Sequence, residues 1–325
     1  MAEARFAPPE RRHAAALALA LAALVAGLSL ASPQFLTLRN LVDVAQGAAF
    51  TGILAAGLLI VLISGGIDIS FAAVASIAQY ALATALGRIE GGWGLAFAVA
   101  GGVGLALGVV NGLLVHALAA PSIIVTIATM NVYYGLLVWF SGGRWLYDFP
   151  DWFAAGASLR LGAGPPLGLQ TLVMIAAFAA TSWLLHVSSA GRLVRAIGGD
   201  PEAARRLGVP LGRLRVAIYG YMGLLAGLAG LAQCQYVLSV APNALVGREL
   251  DVVAALVIGG ASLEGGVGGV PGALLGLALV AATGNGLTLV GASSYWRQVA
   301  IGAVVLASVL LTAVTRRRPP GGRRA

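Results

Sequence analysis

The chain has 325 residues, of which 59% are hydrophobic and only 10% charged, and its mean hydropathy is +0.91. Ordinary soluble domains carry about 25% charged residues, enough to cover a surface, so this composition excludes one. The formal net charge is +8, and all twenty basic residues are arginine.

A bilayer core of ~30 Å needs about 20 mostly apolar residues per helix at ~1.5 Å rise each. The apolar runs predict helices over 14–31, 45–64, 69–87, 93–118, 122–141, 168–187, 215–238, 250–262, 270–290 and 297–314. Runs such as AAALALALAALVAGLSLA do not alternate, which rules against barrel strands. The expected fold is therefore all-α: a polytopic membrane bundle of about ten helices forming a single domain over 1–325.

The first stretch has two readings. Arg11, Arg12 and His13, an apolar run and then Ser29-Leu30-Ala31 resemble a secretory signal. The run is longer than the ~7–15 residues of a signal core, and further spans follow at once, so an uncleaved helix is expected. Two later places interrupt the helices. Ser64-Gly65-Gly66-Ile67-Asp68 separates the second and third, too short to be a solvated loop. The eighth is short for a span and runs into Gly265, Gly266, Gly268, Gly269 and Pro271, as a broken or re-entrant segment would.

Fourteen of the twenty arginines fall in three segments: the N-terminus (Arg5, Arg11, Arg12), the loop 188–215 (Arg192, Arg195, Arg205, Arg206, Arg213, Arg215) and the tail (Arg316, Arg317, Arg318, Arg323, Arg324). Arginine-rich short loops stay cytoplasmic, and ten spans place all three segments on one face. Both termini are thus expected in the cytoplasm. The same rule, with attraction to anionic membrane lipid, accounts for the net charge without any nucleic acid partner.

The loop 188–215 reads GRLVRAIGGDPEAARRLGVPLGRLR over its arginine-rich part. Asp200 suits an N-cap, Pro201 the first helical position, and Glu202 the positive end of the dipole. Ala203, Ala204 and Leu207 give a small apolar face, and Gly208 followed by Val209-Pro210 stops the helix. A two-turn helix flanked by arginines is a linker obeying the charge rule, or a knob for the groove of a soluble partner.

EAARRLG resembles the cytoplasmic coupling motif of ABC import permeases, in which Glu-Ala-Ala precedes a glycine. LISGGIDIS (62–70), PSIIVTIATMNVYYGL (121–136), GRLVRAIGGDPEAARRLGV, ELDVVAALVIGGASLEGGVGGVPGALLG (249–276) and NGLTLVGASSYWRQVAIG (285–302) resemble the ribose-type monosaccharide permease family. FSGGRWLYDFP (140–150) is similar to the branch handling autoinducer-2 and deoxy-sugars such as rhamnose. The resemblance implies import of a monosaccharide or sugar-like solute by two permease subunits, two ATPase subunits and an exported solute-binding protein. It implies that Asp200, Glu202, Ala203, Ala204 and Gly208 lie at the ATPase, and that ATP and magnesium bind there and not on this chain. The residues independently support that division. A P-loop requires a lysine on the terminal phosphates, and this chain has none.

LISGGIDIS echoes LVIGGASLE (256–264), and VVNGLLV (109–115) echoes TGNGLTLV (283–290), in the same order but about 20 residues tighter in the second copy. This reads as a weak internal repeat, and interrupted helices in repeats are where transporters place solute. Candidate pathway residues are Asp68, Asn111, Thr126, Thr129, Asn131 and Asn285, with Gln233 and Gln235 also offering hydrogen bonds. Polar residues equally join helices in lipid, and Asp68 equally suits a helix cap. No enzyme signature is present. His13, His116 and His186 lack metal-ligand spacing, and Cys234 is the single cysteine. The alternative reading is an ion-coupled secondary transporter, which needs buried carboxylates; Asp68 is its best candidate.

Overall fold

In the computed structural model, residues 8–160 and 164–293 are described, together with positions 295, 296, 299, 302, 303 and 306. Of the helix expected at 297–314 only positions 299, 302, 303 and 306 are described, each helical, and the arginine tail lies outside the described residues. The described helices are α1 (Pro8–Ala31), α2 (Leu38–Ile63), α3 (Phe71–Leu86), α4 (Trp93–Ala117), α5 (Ser122–Ser141), α6 (Asp151–Ala155), α7 (Leu169–His186), α8 (Ser189–Gly199), α9 (Pro201–Arg206), α10 (Leu211–Val237), α11 (Glu249–Ile258) and α12 (Val270–Leu289). Seven of them (α1, α2, α4, α5, α7, α10 and α12) are long and apolar enough to cross a membrane. At 16 residues α3 falls short of that length. Only ten residues long, α11 reaches ~15 Å, about half a bilayer.

The bundle is built around α2. Every residue from Ala49 to Ile63 is buried, so this helix is apolar on all sides, as a helix enclosed by others must be. It packs against α7, α10, α11 and α12. Thr37 opens α2 seven residues earlier than the apolar run suggested, its hydroxyl accepting from the Asn40 N–H at 3.3 Å. That cap lets the polar residues Arg39, Asn40 and Asp43 join the first turns.

The tightest contact joins α4 to α10. Gly104, Gly108 and Gly112 make a bare stripe on α4, and Gly223 and Gly227 face it from α10. A Cβ on Gly223 would stand 2.6 Å from the Gly108 Cα, and one on Gly104 would stand 2.8 Å from the Gly227 Cα. The two backbones are therefore in van der Waals contact, which small residues permit and which drives helix association where lipid removes the hydrophobic effect.

At the opposite end from the segment 188–210, the chain between α5 and α7 forms a cap. Here α6 brings Trp152 and Phe153 against Trp93, with ring centroids 5.3 and 5.5 Å apart. A two-residue antiparallel pair, β1 (Ser158–Leu159) with β2 (Leu167–Gly168), closes the turn. Such aromatic clusters suit the membrane interface.

Filling the α4–α10 contact should be costly. Gly223→Leu is expected to lower stability by about 1–3 kcal/mol or more through overpacking, read as a fall in the melting temperature of the detergent-purified protein. Gly102→Ala, where an added Cβ meets nothing within 4 Å, should leave that temperature unchanged or slightly higher.

Candidate functional site

The segment 188–215 holds two helices where one was expected. Ser188 caps α8, its hydroxyl accepting from the Gly191 N–H at 3.2 Å and donating to the Leu184 carbonyl at 2.7 Å. Gly191, Val194 and Ile197 bury one edge of α8 against α2 and α7. The segment's spacing of three, diluted by glycine and arginine, hid this amphipathic helix in the sequence. Asp200 ends α8 through its backbone N–H and starts α9 through its side chain, whose Oδ1 accepts from the N–H groups of Glu202 and Ala203, both at 3.0 Å. Pro201 stands at the helix start as expected, and Gly208 follows the helix at φ +81°.

Only Ala204 of α9 is buried. Glu202, Ala203 and Gly208 face outward, and Leu207, expected on a small apolar face with Ala203 and Ala204, is 85% exposed. The Glu202–Arg205 pair at 3.8 Å is solvent-exposed on both sides and contributes little to stability. A short, doubly capped helix thus projects from the bundle with an apolar side chain at its tip.

Behind it, α8 touches both interrupted helices. The C-terminal end of α2 turns at Gly65 (φ +80°), and the loop between α11 and α12 turns at Gly265 (φ +96°). A Cβ on Gly265 would stand 2.7 Å from the Gly65 Cα and from the Gly198 carbonyl oxygen, while one on Gly198 would run into the Ile63 carbonyl. The Gly266 N–H donates to that carbonyl at 2.9 Å. Arg195 adds a bond to the Gly268 carbonyl at 3.2 Å. Three backbones, from α2, α8 and the α11–α12 loop, meet at glycines with no side chain between them. The His13 imidazole bonds the Ile258 carbonyl at 3.0 Å, placing the start of α1 at this same arginine-rich end.

The interruption after α2 is filled by polar side chains. Asp68, 2% exposed, accepts from the Ser70 N–H at 2.8 Å and its hydroxyl at 2.6 Å. Asn111 donates to the Ser70 hydroxyl at 2.6 Å, and the Tyr133 hydroxyl donates to Asn111 at 3.0 Å. From α5, Ser122 accepts from the Ile67 N–H at 2.8 Å, and Thr126 accepts from the Ile69 N–H at 3.3 Å. Asp68, Asn111 and Thr126 therefore sit together, holding non-helical backbone at membrane depth where water is not available to do so.

The other pathway candidates lie elsewhere. Thr129 bonds the Thr126 carbonyl within its own helix, and Asn131 bonds that of Ile127 while its side of α5 is exposed. Asn285 lies near the far end of α12 and exchanges two amide hydrogen bonds with Asn40, at 3.0 and 2.9 Å. Asn111 and Asn285, aligned by the sequence repeat, thus occupy opposite ends of the bundle. The Gly-Gly turns of the repeat do correspond, shifted by one residue from the sequence echo. Ser64, Gly65 and Gly66 bond back to Ile60, Leu62 and Val61, as Gly259, Gly260 and Ala261 do to Ala255, Val257 and Leu256.

One buried carboxylate escaped the sequence reading. Glu249 opens α11, is 6% exposed and accepts from the Tyr134 hydroxyl at 3.1 Å. Its neighbours Arg248 and Asp251, 3.7 Å apart, made this stretch look like a surface loop.

Interrupted helices, a glycine-packed core and a projecting capped helix define a multi-pass membrane protein of the transporter class. The family model for the branched-chain amino acid transport system permease component matches residues 40–309, and the chain belongs to that family. It is 34% identical over 297 residues to the ribose import permease protein RbsC of Escherichia coli (strain K12), covering 90% of this chain and 91% of that one. It is 33% identical to the L-arabinose ABC transporter permease protein AraH of Azospirillum brasilense, over 88% of this chain and 84% of that one. It is 31% identical to the autoinducer 2 import system permease protein LsrC of Yersinia pestis (strain Pestoides F), over 89% and 81%.

The double role of Asp200 can be tested. Asp200→Ala should remove a cap of about 1 kcal/mol and speed amide hydrogen exchange across 201–206 while the bundle's melting temperature holds; Asp200→Asn should restore slow exchange.

Proposed function

We propose that this chain is the membrane-spanning permease subunit of a binding-protein-dependent ABC importer for a monosaccharide or sugar-like solute. The observation that carries the reading is α9: a capped helix with Glu202, Ala203 and Ala204, ended by Gly208, projecting from the arginine-rich end with Leu207 outward. A short helix presenting one apolar anchor suits the groove of a soluble partner. The partner is a separate ATPase, because the lysine-free chain cannot form a P-loop. A second permease subunit and an extracytoplasmic binding protein complete the assembly. By the positive-inside rule α8 and α9 lie in the cytoplasm, and the apolar helices with the permease relatives support a place in the bacterial inner membrane.

Coupling runs through the glycine contact. Closure of the ATPase moves α9, the shared residue Asp200 passes the movement to α8, and Gly198 bears on Ile63 and Gly265 at the ends of α2 and the α11–α12 loop. Rigid-body rocking of helices is the usual basis of alternating access. Relatives named for ribose, arabinose and autoinducer 2 match at 31–34% identity, which supports a monosaccharide or sugar-like solute, the autoinducer-2 branch suggested by FSGGRWLYDFP included. Against the ion-coupled alternative stand the relatives, which are named as import and ABC transporter permeases.

The test is co-purification from native membranes under mild detergent, with ATPase activity measured in the eluate. An ATPase chain should accompany the wild type. Leu207→Asp should release it without altering the permease's own melting temperature, because this side chain is almost wholly exposed. Retention of the ATPase by Leu207→Asp and by a Glu202→Trp, Gly208→Trp double variant would remove α9 as the docking element.

A further inference from the structure

Where α4 lies against α10, the side of the bundle carries a trough that no described residue fills. Its volume is about 680 Å³, within the ~300–1,000 Å³ of sites for drug-sized molecules. From α4, Leu105, Val109 and Leu113 form one wall, each a helical turn from the next. The facing positions on α10 are Val216, Ala217 and Gly220, of which only Val216 carries more than a methyl group. Glycine sets the depth: a Cβ on Gly220 would stand 3.2 Å from the Val109 side chain and 3.4 Å from that of Leu105. Leu105 and Leu113 are 43% and 51% exposed, so this wall is open to whatever lies beside the bundle.

Length and charge identify the occupant. The trough runs from Leu105 to His116 on α4, eleven residues or ~16 Å, and from Gly220 back to Pro210 on α10, ten residues or ~15 Å. One leaflet of a ~30 Å hydrocarbon core is ~15 Å deep, so the trough spans a single leaflet. Asn111, which serves the break after α2, lies five residues, ~8 Å, inward of His116 and stays within the hydrocarbon. Arg213 and His116 line the arginine end, both exposed, and Arg213 makes no ion pair among the described residues. Neither α4 nor α10 contains an aspartate or a glutamate. The His116 ring lies over Gly212, where a Cβ would stand 2.6 Å from its Nε2, so the imidazole sits beside the first turn of α10. No side chain caps that turn, which lines the same end and adds the positive end of a helix dipole. Positive charge over an apolar trough one leaflet long complements a lipid with an anionic headgroup, and basic pockets between membrane helices on the cytoplasmic side bind such heads. A second copy in the same orientation would instead bring its own arginine-rich end to this level, like charge against like.

We propose that this trough binds an anionic phospholipid of the cytoplasmic leaflet, with an acyl chain along Leu105, Leu113 and Ala217 and the phosphate at Arg213 and His116. By the positive-inside rule the arginine end is the cytoplasmic one. A guanidinium meets a phosphate with two parallel donors, and the imidazole supplies another. The acyl chain makes the dispersion contacts that the small residues of α10 leave unmade. The lipid also has a place in the mechanics of the fold. Pro210 belongs both to the trough and to the link from α9 to α10, so a bound lipid steadies the root of α9. Such a site requires only a membrane-spanning chain in this orientation, whatever solute the protein transports.

The test is native mass spectrometry of the full-length protein in mild detergent, titrated with phosphatidylglycerol or with phosphatidylcholine of the same acyl chains. The wild type should hold one phosphatidylglycerol per chain more tightly than phosphatidylcholine. Arg213→Ala should weaken the phosphatidylglycerol roughly five-fold, one basic residue's share near a membrane surface. Arg192→Ala, which removes the same charge from an exposed position on α8, should not. Ala217→Phe fills the trough without touching the charges and should weaken the lipid by a similar factor. Arg213 and Ala217 are both exposed, so neither change threatens the fold. Equal retention of the two lipids by the wild type, or equal losses in Arg213→Ala and Arg192→Ala, overturns the site. So does displacement of the lipid by inorganic phosphate while Ala217→Phe has no effect, which would leave an anion site without a chain. A change in the number of protein chains per particle on Ala217→Phe, with lipid retention unchanged, assigns the trough to a subunit contact and overturns the lipid as well.

Discussion

Backbone polar groups in a hydrocarbon environment must find partners inside the protein, and the rest of this structure depends on how that demand is met where helices stop. Continuous helices satisfy it themselves. The segment after α2 cannot, and four side chains from α4 and α5 are committed to it, with a fifth from within the segment. Ser122 and Thr126 come from the start of α5, Asn111 and Tyr133 from α4 and α5, and Asp68 serves the segment from within. The loop between α11 and α12 meets the same demand differently, by donating the Gly266 N–H to the Ile63 carbonyl. Each interruption therefore uses the other, and both depend on the approach that bare glycines allow.

That approach has a mechanical consequence. Contacts between flexible side chains can absorb a displacement by changing rotamer, whereas backbone against backbone cannot. At Gly198, Gly65 and Gly265 no rotamer intervenes. A movement of α8 is borne directly by the end of α2 and by the α11–α12 loop. The glycine stripe between α4 and α10 is rigid for the same reason, and it provides a second, unbroken part of the bundle against which the interrupted part can move.

The sequence made the membrane class, the seven long spans, both interruptions and the α9 caps legible, because each is local: hydropathy over 20 residues, a Gly-Gly pair, or Asp-Pro-Glu at one helix start. What it concealed depended on partners far along the chain. Asp68 was legible as a local cap, but the Asn111 and Tyr133 that continue its network through Ser70 lie more than 40 positions away. Glu249 reads as a loop residue because Arg248 and Asp251 flank it; its partner Tyr134 is 115 positions away. The repeat was visible as a pair of glycine doublets, but glycine spacing alone cannot say which glycine takes the left-handed turn. Gly65 pairs structurally with Gly260, one residue off the sequence echo. The α8 helix was missed because two of the three residues that bury it are Val194 and Ile197, too few to raise a periodic signal among arginines.

Three helices that surround a polar cavity at one end reach the glycine contact at the other. Toward the outer end, α2, α11 and α12 enclose Thr51, Arg248 and Asn285. At the arginine end, α2 finishes at Ile63, while α11 and α12 are joined by the loop carrying Gly265 and Gly266. Helices this well packed move as rods, so a push at one end becomes a tilt at the other, with ~18 Å of α2 between Ile63 and Thr51 as the lever arm. Glycine faces also join α11 to α12, where a Cβ on Gly272 or Gly276 would meet the backbone at Gly259 or Ala255, so these two helices are held together as closely as α4 and α10.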